Sequence, residues 1–308
     1  MTGLAGSRLT GRSGAIGVAR MLVVCAAIGA AIPGVQMSEA SAAPPFGTYV
    51  ALGDSWAADA SLSQPTDEFV VPGCAQSRDN YAKQLAAALA VPLFRDATCG
   101  GATTAHMTAP QRTLLGVNPP QFDRLTLSTD LVTLEIGGND AGLAAMVPRC
   151  VTVDPAVSPC RNARVATGVD QMSDNIAAAA SKVAAVIDGI RARSPQARIL
   201  LLDYLDGVGT GPGCFPVIPI SDVDANWLGT KLIELNAMLA RVARVAGVEF
   251  VDSYSTSAGH DACQAPGTRW VEGLIPFSTD PVGPAVPFHP NQLGADHQAG
   301  SLLAALGR

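Results

Sequence analysis

Charged residues are scarce in this chain of 308 residues, only 15% of the total, and the surplus is acidic, with a formal net charge of −6. Nucleic acid is bound through clustered cations, so an acidic chain with scattered Lys and Arg has no footprint for it. Aromatic residues are also few, at 5%, which leaves little for stacking against sugar rings. No Cys-x-x-Cys pair is present, and with it goes the usual signature of a zinc site. Coiled-coil heptads, tandem repeats and blocks of like charge are missing too. Nothing therefore points to an obligate protein partner, a metal or a cofactor, and the expectation is a monomer. What the chain has in quantity is apolar residues, at 48%, enough for the core of one large domain or two small ones.

The amino terminus carries Arg8, Arg12 and Arg20, then an apolar run over residues 21–32, then Ala40-Ser41-Ala42-Ala43. A positive region, a short apolar core and an A-x-A-like site in that order predict a secretory signal peptide over residues 1–42. A membrane anchor is the competing reading, but the run falls short of the ~20 residues a spanning helix needs, and Pro33-Gly34 follows it. Cleavage would remove Cys25 and leave Cys74, Cys99, Cys150, Cys160, Cys214 and Cys263. An even number of cysteines in an exported chain predicts disulfides. Pairing between neighbours is preferred, because Cys150 and Cys160 bracket a short loop containing proline.

Along the mature chain, residues 49–53 form an apolar run that stops at Gly53-Asp54-Ser55, the pattern of a buried strand ending in a turn with an exposed hydroxyl. Residues 57–77 read as a loop and 80–90 as a helix. Residues 91–97 make a second strand leading into Cys99-Gly100-Gly101-Ala102, and residues 130–136 a third, stopped by Gly137-Gly138-Asn139-Asp140. A long helix is predicted over 164–193, a fourth strand over 197–202 and a helix over 222–246. A fifth strand follows over 248–252, then an irregular stretch over 256–290 and a last helix capped by Asn291. Strands alternating with helices predict one α/β domain over residues 43–308, with a parallel sheet of about five strands covered on both faces.

Open sheets of this kind place their chemistry at the carboxyl ends of the strands. A serine hydroxyl there is a weak nucleophile, so Ser55 needs a base and donors for an oxyanion. The backbone N–H groups of Ser55 and Gly101 and the side chain of Asn139 can supply the donors. Of the four histidines, His106, His260 and His297 lack a defining context. His289, in Phe288-His289-Pro290-Asn291, sits on a proline-stiffened turn at a helix entrance.

Gly53-Asp54-Ser55, Gly101 within Gly-Gly-Ala-Thr, Gly137-Gly138-Asn139-Asp140 and His289-Pro290-Asn291, in this order, resemble the SGNH, or GDSL, hydrolase family. Cys74 with Asn80-Tyr81, and Cys263 with Trp270-Val271, are similar to its secreted actinobacterial esterase/lipase branch. The resemblance implies a three-layer α/β/α flavodoxin-like fold and metal-free ester hydrolysis. It also implies Ser55 as nucleophile, His289 as base, Ser55, Gly101 and Asn139 as the oxyanion hole, and the pairs Cys74–Cys99, Cys150–Cys160 and Cys214–Cys263.

Two positions depart from the family pattern. Trp56 stands where leucine is usual. Val286 stands three residues before the histidine, where the family often has aspartate, and its side chain cannot orient an imidazole. A backbone carbonyl is expected to take over, with Asp280 as a lesser substitute. The apolar, proline-rich loops favour acyl esters or lipids as substrates. The alternatives are a carbohydrate acetylesterase, and a non-catalytic envelope protein that binds an acyl or glycan ligand.

Overall fold

The computed structural model describes residues 45–59, 61–275, 277–279 and 282–308. The expected signal peptide and Asp280 lie outside the described residues.

Five strands form one parallel sheet: β1 (Thr48–Gly53), β2 (Leu93–Asp96), β3 (Leu131–Glu135), β4 (Arg198–Leu202) and β5 (Glu249–Val251). Every residue of β1 and β3 is buried, as expected of strands covered on both faces. Alternation along β1 divides the core. Val50 and Leu52 point to a layer holding Val183, Ile187, Leu235 and Leu239, whereas Tyr49 and Ala51 point to one holding Tyr81, Leu85 and Leu302. The first layer is built by helices α2 (Gln171–Arg193) and α3 (Asp222–Ala246), the second by α1 (Tyr81–Ala88) and α4 (Gln292–Ala305). The result is the expected three-layer α/β/α architecture.

Each of these four helices starts where the chain offers a side-chain acceptor to its free N–H groups. Asn80 accepts from Lys83, Asp170 from Met172, Ser221 from Asp224 and Asn291 from Gly294. The helix predicted over 164–193 is divided. A short helix, Pro159–Arg164, gives way to a tight hairpin in which Val165–Ala166 pairs with Val169–Asp170. Thr167 and Gly168, both with positive φ, form the two-residue turn that α-helix cannot accommodate. A ribbon of Phe277–Thr279 against Val282–Pro284 also emerges within the stretch expected to be irregular. Among the described residues no helix is long and apolar enough to cross a membrane.

The spatial order of the strands is β2-β1-β3-β4-β5. The chain steps outward from β1 to β2 and then returns to the other side of β1, so the switch point lies between β1 and β3. A crevice opens there at the carboxyl ends of the strands. Disulfides fasten the loops on this edge. Cys74–Cys99 joins the loop after β1 to the end of β2, and Cys214–Cys263 joins the loops after β4 and β5. Cys150–Cys160 closes a loop between β3 and α2. Closing loops of this size stabilises the folded chain by roughly 2–4 kcal/mol each, chiefly by restricting the unfolded one.

Candidate active site

Ser55 follows directly on the end of β1. A Cβ at Gly53 would meet the Glu135 carbonyl oxygen at 2.6 Å and the Ala57 Cβ at 2.5 Å, so only glycine lets β1 turn this close to β3. The Gln121 amide fixes the same residue from the side, accepting from Gly53 N–H at 2.8 Å and donating to its carbonyl at 2.8 Å.

His289 is brought to this turn from the far end of the chain, 234 residues away, with its Nε2 at 2.7 Å from Ser55 Oγ. Its Nδ1 lies 2.7 Å from the Pro287 carbonyl oxygen. A carbonyl can only accept, so Nδ1 carries the proton and Nε2 faces the hydroxyl with its lone pair. The imidazole is half-buried, and desolvation holds its pKa below the ordinary histidine value while the Pro287 carbonyl opposes that shift. Phe288, between the two, has φ 54, a left-handed conformation rare for an aromatic residue.

Residues 269–272 run alongside 288–291 and hold the histidine loop. Glu272 N–H donates to the His289 carbonyl at 2.9 Å, Phe288 N–H to the Glu272 carbonyl at 2.9 Å, and Asn291 N–H to the Trp270 carbonyl at 2.9 Å. Beneath them the buried Glu272 pairs with Arg269 at 2.5 Å and accepts from the Asn291 side chain at 2.9 Å. The other histidines serve elsewhere. His106 accepts from Thr103 N–H, and His260 and His297 stack on opposite faces of Trp270.

Asn139 opens the turn after β3, and its side chain donates to the Ala102 carbonyl at 2.9 Å, leaving its second N–H available. Asp140 ties the same two turns together, accepting from the N–H of Thr104 at 2.9 Å and its hydroxyl at 2.6 Å. The N–H groups of Ser55 and Gly101 have no partner among the described residues. Ser55, Asn139 and His289 share one cavity of about 360 Å³, whose wall includes Leu143, Val147, Leu228, Leu232, Leu235, Leu274 and Pro287. Gly101 lies outside that wall, on the turn gripped by Asn139. Asp54 is also at the cavity. Burial pushes its pKa up to about 7, against hydrogen bonds from Tyr204 and Trp56.

Residues 51–297 match the model of the GDSL-like lipase/acylhydrolase family. The chain belongs to this family. It is accordingly a carboxylic ester hydrolase. It is 36% identical over 298 residues to Lipase 2 of Streptomyces coelicolor, covering 93% of this chain and 96% of that protein. A lipase of Streptomyces rimosus is 28% identical over 226 residues, covering 73% of this chain and 76% of the relative. The crystal structure of the extracellular lipase from Streptomyces rimosus superposes with a TM-score of 0.64 at 25% identity, over 84% of this chain and 99% of that one. The phospholipase A1 from Streptomyces albidoflavus shares the fold, with a TM-score of 0.63 at 24% identity, over 85% of this chain and 98% of that one.

In this GDSL-like hydrolase, sequence reasoning missed Gln121, Tyr204, Arg269 and Glu272. Tyr204 had a signal, standing just beyond the end of β4. Gln121, at the start of a short 3-10 helix, and Arg269 and Glu272 are polar residues in segments with no local pattern that marks them.

Proposed function

We propose that this chain is a secreted esterase or lipase that cleaves acyl esters with a Ser55–His289 dyad. The observation that carries the reading is the contact of 2.7 Å between His289 Nε2 and Ser55 Oγ at an apolar cavity. His289 takes the hydroxyl proton as Oγ attacks the ester carbonyl carbon. The oxyanion of the tetrahedral intermediate accepts from Ser55 N–H, Gly101 N–H and the free N–H of the Asn139 side chain. One such donor typically contributes ~3 kcal/mol. The intermediate collapses, His289 passes the proton to the departing alcohol, and water then attacks the acyl-serine by the same route in reverse roles. The Pro287 carbonyl takes the orienting place of an acid, so neither Asp280 nor a cofactor or metal has a step in this scheme.

The leucine-rich cavity wall supports an aliphatic acyl chain as the group held. Between Leu274 and Pro287, both in that wall, the chain exposes Ile275, Phe277 and Val282. An uncovered apolar surface beside the cavity suits a substrate delivered from a lipid phase. Export after loss of residues 1–42 is supported by the leader pattern, by three disulfides and by the extracellular relative. We read the mature protein as a monomer.

The test is hydrolysis of p-nitrophenyl esters from short to long acyl chain by residues 43–308, beside Ser55→Ala. Activity that peaks on medium or long chains and disappears in the variant is expected. Activity that survives in Ser55→Ala would overturn the reading, and an optimum confined to acetate would redirect it to deacetylation.

A further inference from the structure

The nucleophile turn and the oxyanion turn leave adjacent strands, and backbone pairing between them stops early. Register contacts end at Gly53 opposite Glu135, followed by one bond of 3.1 Å from Asp54 N–H to the Glu135 carbonyl. Beyond that point side chains must set the distance from Ser55 to Asn139. The Tyr204 hydroxyl occupies the gap. It accepts from Gly138 N–H at 2.9 Å and donates to Asp54 Oδ2 at 2.7 Å. Asp54 Oδ1 then accepts from Trp56 N–H at 3.0 Å. The chain of bonds thus runs from the residue before Asn139 to the residues on either side of Ser55.

Tyr204 is itself held in place. The Asn236 side chain accepts from its N–H at 3.1 Å and donates to its carbonyl at 2.8 Å. Trp56 packs edge-on against the ring at 5.4 Å. A Cβ at Gly138 would come within 3.2 Å of the hydroxyl, so the bond to Gly138 N–H depends on the absent side chain. Phenylalanine would fill the same space but would leave the buried Asp54 carboxylate and Gly138 N–H without this partner. A buried polar network kept beside a nucleophile, where desolvation opposes it, points to a role in the reaction.

We propose that Tyr204 is a positioning residue, whose hydroxyl sets the spacing between the Ser55 turn and the Gly138–Asn139 turn by bridging Asp54 to Gly138 N–H. The inference rests on the serine esterase reading above. It acts on the transition state, because the distance it sets is the one from nucleophile to oxyanion donor. The ring of Tyr204 also lines the cavity and phenylalanine retains it, so acyl-chain binding should change little.

The experiment compares the mature protein with Tyr204→Phe, Gly138→Ala and the double variant, using a p-nitrophenyl ester and a serine-directed phosphonate, with thermal unfolding alongside. Tyr204→Phe is expected to lower kcat by about 10- to 100-fold with KM within about two-fold, and to slow phosphonate labelling in parallel. Gly138→Ala, which pushes on the hydroxyl from the other side, should give the same kcat-selective loss. The double variant keeps the ring carbon that a Cβ at Gly138 would meet at 3.2 Å but has no hydroxyl bridge left to break, so its loss should fall short of the two single losses combined. Unchanged kcat with only a lowered Tm, or additive losses in the double variant, would overturn the proposal. If Tyr204→Phe does not fold, Gly138→Ala decides: kcat retained overturns it. A wild-type protein that neither turns over ester nor takes the label would overturn the esterase reading, and this proposal with it. A labelled wild type with unaffected variants would overturn the proposal alone.

Discussion

His289 Nδ1 stands 2.7 Å from the carbonyl oxygen of Pro287, two residues before it in the chain. The orienting contact is thus internal to a single turn, and it is made by a group that every residue possesses. Val286 stands where the family often carries aspartate, and in the proposed mechanism the backbone of the next residue does the orienting. The turn itself requires Phe288 to adopt φ 54, a strain of order 1–3 kcal/mol that the bonds to residues 270 and 272 hold in place.

If the carbonyl is the orienting group, Asp280 has no role in turnover. Asp280→Ala should hydrolyse p-nitrophenyl esters at a rate within about two-fold of wild type, whereas a lost triad acid costs about 10⁴. A loss of that order with the fold intact would assign the role to the carboxylate.

Desolvation lowers the His289 pKa, and in the proposed mechanism this base works only when neutral. Hydrolysis should therefore be lost as pH falls, and the imidazole should titrate below the ordinary ~6.5. The unfolded chain binds this proton more readily, so the group opposes folding at pH values below its unfolded pKa. Histidine NMR titration of the mature Ser55→Ala protein measures the midpoint, and a value above 6.5 would contradict the assigned environment.

The cavity wall should set acyl-chain length. Leu232 lies on α3, facing the cavity and the Gly207 loop. Leu232→Trp should shift the chain-length optimum to shorter esters and cut kcat/KM for long chains by ~10- to 100-fold, since each buried methylene contributes about 0.8 kcal/mol. Acetate ester hydrolysis should change by less than about three-fold. Equal loss on all chain lengths would show that the residue shapes the fold and not the acyl site.

The buried pair Arg269–Glu272 supports the histidine loop through Asn291. Removing one partner strands the other charge, at a cost of ~3–5 kcal/mol. Glu272→Gln should lower Tm by several degrees and reduce kcat, because the segment bonded to the His289 and Phe288 backbone loses its anchor. Thermal unfolding and turnover at a temperature where the variant is folded measure the two effects separately.

Much of the architecture is legible because its causes are short-range. Alternation in residues 49–53, the stop at each glycine turn and the caps Asn80, Ser221 and Asn291 act within a few residues. Strands β1 and β3 and helix α3 accordingly lie where their local pattern puts them. The hairpin at Val165–Asp170 escaped because its apolar residues also suit a helical repeat, and only the turn at Thr167-Gly168 breaks it. The ribbon Phe277–Thr279 with Val282–Pro284 escaped because three-residue strands are too short to display a period.

By itself the amino-acid sequence determined the class of fold, the order of the glycine turns and the identity of the residues that could take part in acyl transfer. Tertiary structure decided their relations. Ser55 and His289 meet across 234 residues of chain, and Tyr204 reaches Asp54 across 150. Contacts of that range follow from how two core layers pack on one sheet, not from any local pattern. The shifts at His289 and Asp54 arise likewise from burial, a property of the folded surroundings that no single segment carries.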